Sequence, residues 1–261
     1  KGSAANWFAD WLSSNLGIES LEISHNAKTM NHNCGAGEMS PTQTWTFEQA
    51  KLDSHILLSQ LGPSEPGTIV AAALDGDGDR CLIIQATKEG FKVIDGDAIA
   101  DTALNAGTNQ EGEWTLAASI ESDLSLLSGL DRFSQQVSSI ETAVGDRWLS
   151  YALSQSGGKQ ALLSSNNFPK SLGVEDSGHL VLPSRHPLDN KKWSLVGDGA
   201  ATLTAFLLTY SNHNPSMLMK RGWKQRKSAM DVNRDLWDGV NSLSDEVEQI
   251  AKQGLEKIGI V

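Results

Sequence analysis

Cysteine is scarce in this chain. Its 261 residues hold only Cys34 and Cys81, which provide neither a disulfide framework nor a Cys-x-x-Cys metal clamp, so a reducing compartment, the cytoplasm, is expected. Long apolar runs are lacking as well. None approaches the ~18 residues of a membrane-spanning helix, and a soluble chain without a membrane partner is expected. Positive charge is in deficit: 21 Lys and Arg face 32 Asp and Glu, a formal net charge of −11. A duplex nucleic acid rewards a basic face, so no nucleic-acid partner is expected. A phosphorylated small molecule is still compatible with that charge, because a metal ion and a few local cations can hold it. A signal peptide and an initiator Met are not seen at the opening Lys1-Gly2-Ser3, which reads as a piece of a longer protein or as an added remnant. The remaining composition, 39% hydrophobic, supports one large or two ordinary domains with real cores.

The most informative stretch is Asp75-Gly76-Asp77-Gly78-Asp79-Arg80, placed directly after the apolar run Ile69 to Leu74. Carboxylates at alternate positions with glycines between them let a strand end curl so that several oxygens face one point. Hard oxygen donors of this kind suit Mg²⁺, which takes one or two carboxylates plus substrate phosphate and water. Arg80 beside them suits a phosphate oxygen. An acidic turn without metal is the plain alternative, and an Asp75 nucleophile of the phosphatase type is a third reading. A calcium loop of the EF-hand type is excluded, because it needs Gly at its sixth position and Glu at its twelfth, where this chain has Arg80 and Ala86.

Periodicity organises the rest. Ala4, Trp7, Phe8, Trp11, Leu12 and Leu16 recur at helical spacing with Gly17 as the stop, which predicts an amphipathic helix with its tryptophans in the core. A short strand is expected at Leu21 to Ile23, a tight loop at Asn31 to Gly37 and a helix from Thr46 to Leu61. The run Thr68 to Leu74 predicts a strand buried on both faces. Cys81 to Gln85 and Phe91 to Ile94 predict a hairpin, with Cys81 a small core residue and Asp95 or Asp97 capping a helix to about Asn105. The Gly, Thr and Asn content of Ala106 to Gly112 marks a domain boundary. Beyond it come strands at Trp114 to Ile120 and Val137 to Ile140, then Thr142-Ala143-Val144-Gly145-Asp146-Arg147 and a helix with Trp148, Leu149, Ala152 and Leu153 inward. Strand, glycine turn and helix start favour an anion, although Asp146 reads equally well as a helix cap. In Glu175-Asp176-Ser177-Gly178-His179, Glu175 and Ser177 would share a face in extended chain, and His179 alone reads as an ordinary loop histidine. Gly197 to Phe206 predicts a structural helix, and from Asp231 the residues Leu236, Val240, Leu243, Val247, Ile250, Ala251 and Leu255 trace an amphipathic one.

The Asp75 to Arg80 loop followed by Ile94-Asp95-Gly96-Asp97, the loop Asn31-His32-Asn33-Cys34-Gly35-Ala36-Gly37, the Thr142 to Arg147 loop and the Glu175 to His179 loop together resemble the α-D-phosphohexomutases. That family comprises the phosphoglucosamine, phosphoacetylglucosamine, phosphomannose and phosphoglucose mutases. The motifs stand in the family's order over roughly residues 20 to 210 and resemble its second and third domains only. The resemblance implies an α/β chain of two consecutive three-layer domains with mixed sheets and a helical C-terminal segment. Their bounds are 1–108 for the metal-loop domain, 109–213 for the sugar-binding domain, and 214–261 for a linker and helix leading towards a fourth domain.

It further implies an isomerase that exchanges the 1- and 6-phosphates of a hexose or hexosamine through a phosphoserine. Mg²⁺ would sit on Asp75, Asp77 and Asp79, with a hexose 1,6-bisphosphate as activator or intermediate. Arg80 and His179 would be catalytic; Thr142, Gly145, Asp146, Glu175, Ser177 and His179 would bind the substrate. The partners would be a sugar phosphate and at most a second copy, as monomer or homodimer, and Asn31 to Gly37 leans the substrate towards hexosamine phosphates. Two departures stand out. The family's Ser-His-Asn phosphoserine loop is expected upstream of Lys1, and its Ser-Gly-Thr-Glu-Pro loop downstream of Val261. Ser24-His25-Asn26 lies too close to Asn31 for the serine and reads as a loop at a strand end. The chain alone is therefore expected to bind metal and sugar phosphate without turnover; a non-catalytic binding protein built on the same core is the alternative.

Overall fold

A computed structural model describes residues 2–24, 27–109, 112–133, 135–156, 169–186, 188–211, 218–222 and 240–257. Lys1–Gly222 form one compact unit and Trp223–Val261 a second. The first unit is α/β, built on two sheets. The smaller sheet has the order β1-β4-β3-β2, from β1 (Thr44–Thr46), β2 (Ile69–Leu74), β3 (Cys81–Ala86) and β4 (Gly90–Ile94), and is antiparallel throughout. The larger has the order β6-β5-β7-β8-β9, from β5 (Trp114–Ser119), β6 (Val137–Thr142), β7 (Ser171–Val174), β8 (Leu180–His186) and β9 (Asp189–Gly197). It is mixed: β5 runs parallel to β6 and β7, and β8 and β9 are antiparallel additions.

Period-two burial explains the layering. Along β3, Cys81 and Ile83 face one apolar cluster while Leu82 and Ile84 face another. Along β5, Leu116 and Ala118 face the first cluster and Ala117 faces a third, beneath α6 (Asp146–Ser156) with Leu149 and Leu153. The first cluster is shared by both sheets. It takes Ile99, Ala100 and Leu104 from α4 (Gly96–Gly107), Leu126 from α5 (Leu124–Ser128), Leu203 and Phe206 from α7 (Gly199–Tyr210), and Phe8 and Leu12 from α1 (Phe8–Leu16). Phe206 is fully buried, and its truncation to Ala would cost about 3–5 kcal/mol.

Several local expectations are corrected. Helix α1 buries Phe8 and Leu12, but Trp7 and Trp11 stand 48% and 37% exposed, because the i, i+4 pair one position back looks past the core. Trp148 is likewise exposed on α6. Leu21 to Ile23 form no strand, and Leu21 is exposed. The single helix expected from Thr46 to Leu61 is two, α2 (Phe47–Leu52) and α3 (Ile56–Gln60), preceded by β1. Thr46 and Gln49 close a reciprocal capping box on α2, and His55 Nδ1 accepts the Leu57 amide at 3.2 Å to open α3. The strand buried on both faces is β3; β2 is an edge strand, mostly half-buried. Beside it a cavity of about 480 Å³ is lined by Phe8, Leu12, Ile18, Leu57 and Leu203 among others.

In the second unit, α8 (Ser242–Lys257) exposes Leu243, Val247 and Ile250 along one stripe. The part of the expected helix over 231–239 lies outside the described residues. Among the described residues no helix is long and apolar enough to cross a membrane.

Candidate functional site

The edge strand β2 delivers Asp75 to the end of the smaller sheet, where the chain turns through Gly78, at φ 86°, and returns as β3. Asp75 is buried, and its two oxygens accept the Arg80 backbone amide at 3.1 Å and Arg80 Nε at 2.6 Å. Burial works to raise this carboxyl, and the hydrogen bonds and charge of Arg80 outweigh it, so its pKa lies below the usual carboxylate value. Asp77 is exposed and Asp79 half-buried. Each of the three offers an oxygen within 4.8 Å of the other two. Asp79 Oδ1 is buried without a hydrogen-bond partner, 3.9 Å from Arg80 Nε. Burial first, then the charges of Asp75 and Asp77, raise the Asp79 carboxyl against the pull of His179. An orphaned buried carboxylate oxygen in an all-oxygen donor set fits a hard cation such as Mg²⁺.

The second half comes from the β7–β8 turn. Glu175 N donates to His179 O at 2.9 Å and Gly178 N to Glu175 O at 3.1 Å. The segment is thus a tight turn rather than extended chain, which corrects the expectation that Glu175 and Ser177 share a strand face. Gly178 sits at φ 92°, and a Cβ there would collide with the Cys81 carbonyl. That close approach is a backbone pairing: Cys81 N donates to Gly178 O at 2.9 Å, and Arg80 and His179 form an isolated antiparallel bridge. The acidic loop and the turn, nearly a hundred positions apart in the chain, are therefore one local structure. His179 is buried, with Nε2 3.7 Å from Asp79 Oδ2 and 3.9 Å from Asp146 Oδ2, and Nδ1 4.0 Å from Glu175 Oε2. Nε2 has no hydrogen-bond partner.

The β6–α6 loop closes the third side. Glu175 Oε1 accepts the Gly145 amide, and Asp146 Oδ1 accepts the Arg147 amide at 2.6 Å. Two amides at the start of α6 are thus satisfied by carboxylates, so the anion-attracting helix start expected from the pattern is partly filled by the protein itself. The Thr142 hydroxyl donates to Ala143 O at 3.0 Å, and Ser177 is half-buried in the turn. Asp75, Asp79, Arg80, Gly145, Asp146, Glu175 and His179 are joined by these contacts, whereas Thr142 is satisfied locally. Ser24 donates from both amide and hydroxyl to Glu22; His25 and Asn26 lie outside the described residues.

Three supports were not legible as part of the site. Gly199 N, at the start of α7, donates to Gly78 O at 2.8 Å, and a Cβ on Gly199 would collide with the Arg80 carbonyl. A Cβ on Gly197 would collide with His179 Nε2. Ser3 donates from its amide to Gly76 O at 2.9 Å and from its hydroxyl to Asp77 O at 2.6 Å. The available signal was Gly197-Asp198-Gly199: glycines flanking a helix cap mark backbone that something approaches closely. Gly37, within the Asn31 to Gly37 loop, would place a Cβ 3.2 Å from Arg80 Nη2, so that loop also borders the site.

This geometry joins an acidic loop, an arginine and a tight turn of the second sheet in one place. Residues 95–226 match the family model for phosphoglucomutase/phosphomannomutase, alpha/beta/alpha domain III, and the chain belongs to the α-D-phosphohexomutase family. It is 37% identical over 139 residues to the phosphoglucosamine mutase of Rhodococcus opacus, covering 52% of this chain and 25% of that protein. It is 31% identical over 170 residues to the phosphoglucosamine mutase of Kineococcus radiotolerans, covering 64% and 32%. The chain thus spans about a quarter to a third of the length of these curated relatives. Its fold is similar to that of a crystal structure of N-acetylglucosamine-phosphate mutase in the apo form, with TM-score 0.56 and 16% identity over 96% of this chain and 51% of that one.

Proposed function

We propose that this chain supplies the metal-binding and sugar-binding middle of a phosphohexomutase, an isomerase exchanging the 1- and 6-phosphates of a hexose or hexosamine. The observation that carries the reading is the Arg80–His179 bridge, which fuses the acidic loop to the turn after β7. In the reaction, a phosphoserine gives its phosphoryl group to the free hydroxyl of a sugar monophosphate, leaving a serine hydroxyl and a bisphosphorylated sugar. The sugar reorients, and the other phosphoryl group returns to the serine. In this reading no residue of Lys1–Val261 is assigned as that serine. Asp75, Asp77 and Asp79 would hold Mg²⁺, which offsets charge on the transferred phosphoryl oxygens.

The remaining roles belong to the chain itself. Arg80 steadies a phosphate oxygen, and its pairing with Asp75 fixes the guanidinium before substrate arrives. Glu175 and Ser177, with Thr142, Gly145 and Asp146 of the β6–α6 loop, would orient the sugar hydroxyls. His179 Nε2, buried and within 4 Å of Asp79 and Asp146, would hold a proton close to the transferred group. Positioning of this kind supplies much of the rate in phosphoryl transfer. The proposed organisation is a metal-loop part over 1–108, a sugar-binding part over 109–213 and a linker with helix over 214–261. Hexosamine phosphates are the favoured substrates, on the phosphoglucosamine mutase relatives and the Asn31 to Gly37 loop beside Arg80.

Calorimetric titration of the chain with glucosamine 6-phosphate in Mg²⁺ tests the binding half, and ³¹P NMR on the full-length gene product with a trace of hexose bisphosphate tests the reaction. Binding, and exchange between the 6- and 1-phosphates, are expected. A folded full-length protein that converts no hexose or hexosamine phosphate would overturn the reading.

A further inference from the structure

Among the described residues, a second cluster of buried carboxylates gathers around the start of α4 and reaches the turn of the site at Asp176. Asp95, Asp97, Asp123 and Asp176 are 1%, 0%, 5% and 0% exposed, an unusual concentration of buried carboxylates. Arg221 is the cation that faces three of them, Asp95, Asp97 and Asp123. Its guanidinium pairs with Asp95 Oδ1 and also feels the charges of Asp97 and Asp123. The backbone on either side of Arg221 is fixed to the same place. Met219 N donates to Asp101 Oδ2 at 2.8 Å, and Gly222 N lies 3.3 Å from both Asp123 Oδ1 and Ser125 Oγ. Asp123 N in turn donates to Asp97 Oδ2 at 2.7 Å. Residues 219–222 therefore run as a strap over the acidic face of α4, where Asp97 and Asp101 are neighbours at i, i+4.

The other side of that helix start touches the site. Asp95 Oδ1, besides pairing with Arg221, caps α4 by accepting the Ala98 amide at 3.0 Å. Gly96 N donates to Asp176 O at 3.1 Å, and a Cβ on Gly96 would collide with the Glu175 carbonyl. The backbone of the Glu175–His179 turn thus rests directly on the first turn of α4, with no room for a side chain between them. An unbalanced cluster of buried carboxylates would push this helix start apart, and the turn would lose its wall.

We propose that Arg221 is a positioning residue for the Glu175–His179 turn, acting through Asp95 and the first turn of α4. The proposal rests on the reading of that turn as sugar-binding, while its geometric part stands on the contacts alone. Arg132 supplies an internal control, because it pairs with Asp101 on the same helix, about 9 Å further along the axis at 1.5 Å per residue.

The test compares Arg221→Ala, Arg221→Lys, Asp95→Asn and Arg132→Ala in the full 261-residue chain. Hydrogen exchange is read at the amides of Glu175 and Gly178, with circular dichroism as the check of folding. Arg221→Ala and Asp95→Asn are expected to speed exchange at both amides by about tenfold or more, the low end for losing a charged hydrogen bond. Arg221→Lys is expected to restore part of the protection, and Arg132→Ala, which reaches the strap through Asp101, to raise exchange less than Arg221→Ala does. Should Arg221→Ala fail to fold, Asp95→Asn, which keeps an oxygen for the cap, decides the matter with Arg221→Lys. Unchanged exchange in Asp95→Asn and Arg221→Ala, or an equal rise in Arg132→Ala, would overturn the proposal. In the same proteins Arg221→Ala is expected to weaken glucosamine 6-phosphate binding more than Mg²⁺ binding. If the unsubstituted chain binds no sugar phosphate, the functional reading fails and the exchange data still judge the positioning role.

Discussion

Asp77 projects from the acidic loop into solvent, whereas Asp75 is locked to Arg80 and Asp79 is half-buried. The three therefore differ in what their removal would disturb, and Asp77 isolates the metal contribution most cleanly. Asp77→Asn is expected to weaken Mg²⁺ binding by at least about tenfold, the effect that even changes in the outer shell have on a bound metal. Its unfolding midpoint should stay close to that of the unsubstituted chain. Titration calorimetry with a urea melt checks both, and an unchanged Mg²⁺ affinity would remove Asp77 from the metal set. The three carboxylates were legible in the sequence because alternation with glycine is a local pattern. The burial of Asp75 and the orphaned oxygen of Asp79 were not, since they depend on Arg80 folding back and on His179 arriving from the other sheet. The misplaced tryptophans have a similar cause. Helical spacing marks Trp7, Phe8, Trp11 and Leu12 alike as one apolar side, and only the position of β2 and α7 decides which pair is covered.

At the scale of elements, the start of α7 holds the acidic loop by its backbone. Gly199→Ala would drive a methyl group into the Arg80 carbonyl while touching none of Asp75, Asp77 or Asp79. The expected outcome is a loss of Mg²⁺ affinity comparable to that of Asp77→Asn, read by calorimetry on protein whose far-ultraviolet dichroism is unchanged; normal affinity would show that the loop holds its shape without α7. Helix α3 offers a pH-dependent counterpart. The His55 ring is 5% exposed; it accepts the Leu57 amide at Nδ1, and Nε2 lies 3.3 Å from Gly35 O. Burial lowers its pKa, only partly opposed by Gly35, Glu38 and Asp53. In the unfolded chain the imidazole gains its proton near pH 6.5, above the folded value, so over that interval the unfolded state binds more protons. Stability from this group is present above pH ~6.5 and is lost as pH falls below it. Urea midpoints at pH 7.5 and 5.5 should therefore differ more for the unsubstituted chain than for His55→Asn, and equal differences would rule His55 out. The split of Thr46 to Leu61 into α2 and α3 was hidden from periodicity because both pieces keep their apolar residues on similar spacing. The caps Thr46 and His55 determine the break, and a histidine cap is weakly encoded.

For the whole of the first unit, the order from β2 through α4, β5 and β6 to α6, and the later helix α7, followed from the apolar runs, while β1, β7, β8 and β9 and the joining of the two sheets did not. No local pattern says that Gly178 will lie on Cys81 or that Arg80 will bridge to His179, because both are meetings of distant backbone. Their consequence is thermodynamic. If Mg²⁺ sits on the acidic loop and a sugar phosphate on the turn bridged to it, each ligand orders backbone that the other uses, and the phosphate can share the cation. Mg²⁺ should then tighten glucosamine 6-phosphate binding, and by linkage the sugar phosphate must tighten Mg²⁺ binding by the same factor. Couplings of this kind amount to about 5–150-fold. The full cycle is measurable by calorimetry in four titrations, each ligand with and without saturation by the other. Equal factors on the two sides are a check on the data. Their size tests the bridge: a Gly178→Ala chain, in which the close approach to Cys81 is blocked, should lose most of the coupling even where each ligand still binds alone. Coupling near unity in the unsubstituted chain would mean that the acidic loop and the turn, though joined by backbone, bind their ligands independently.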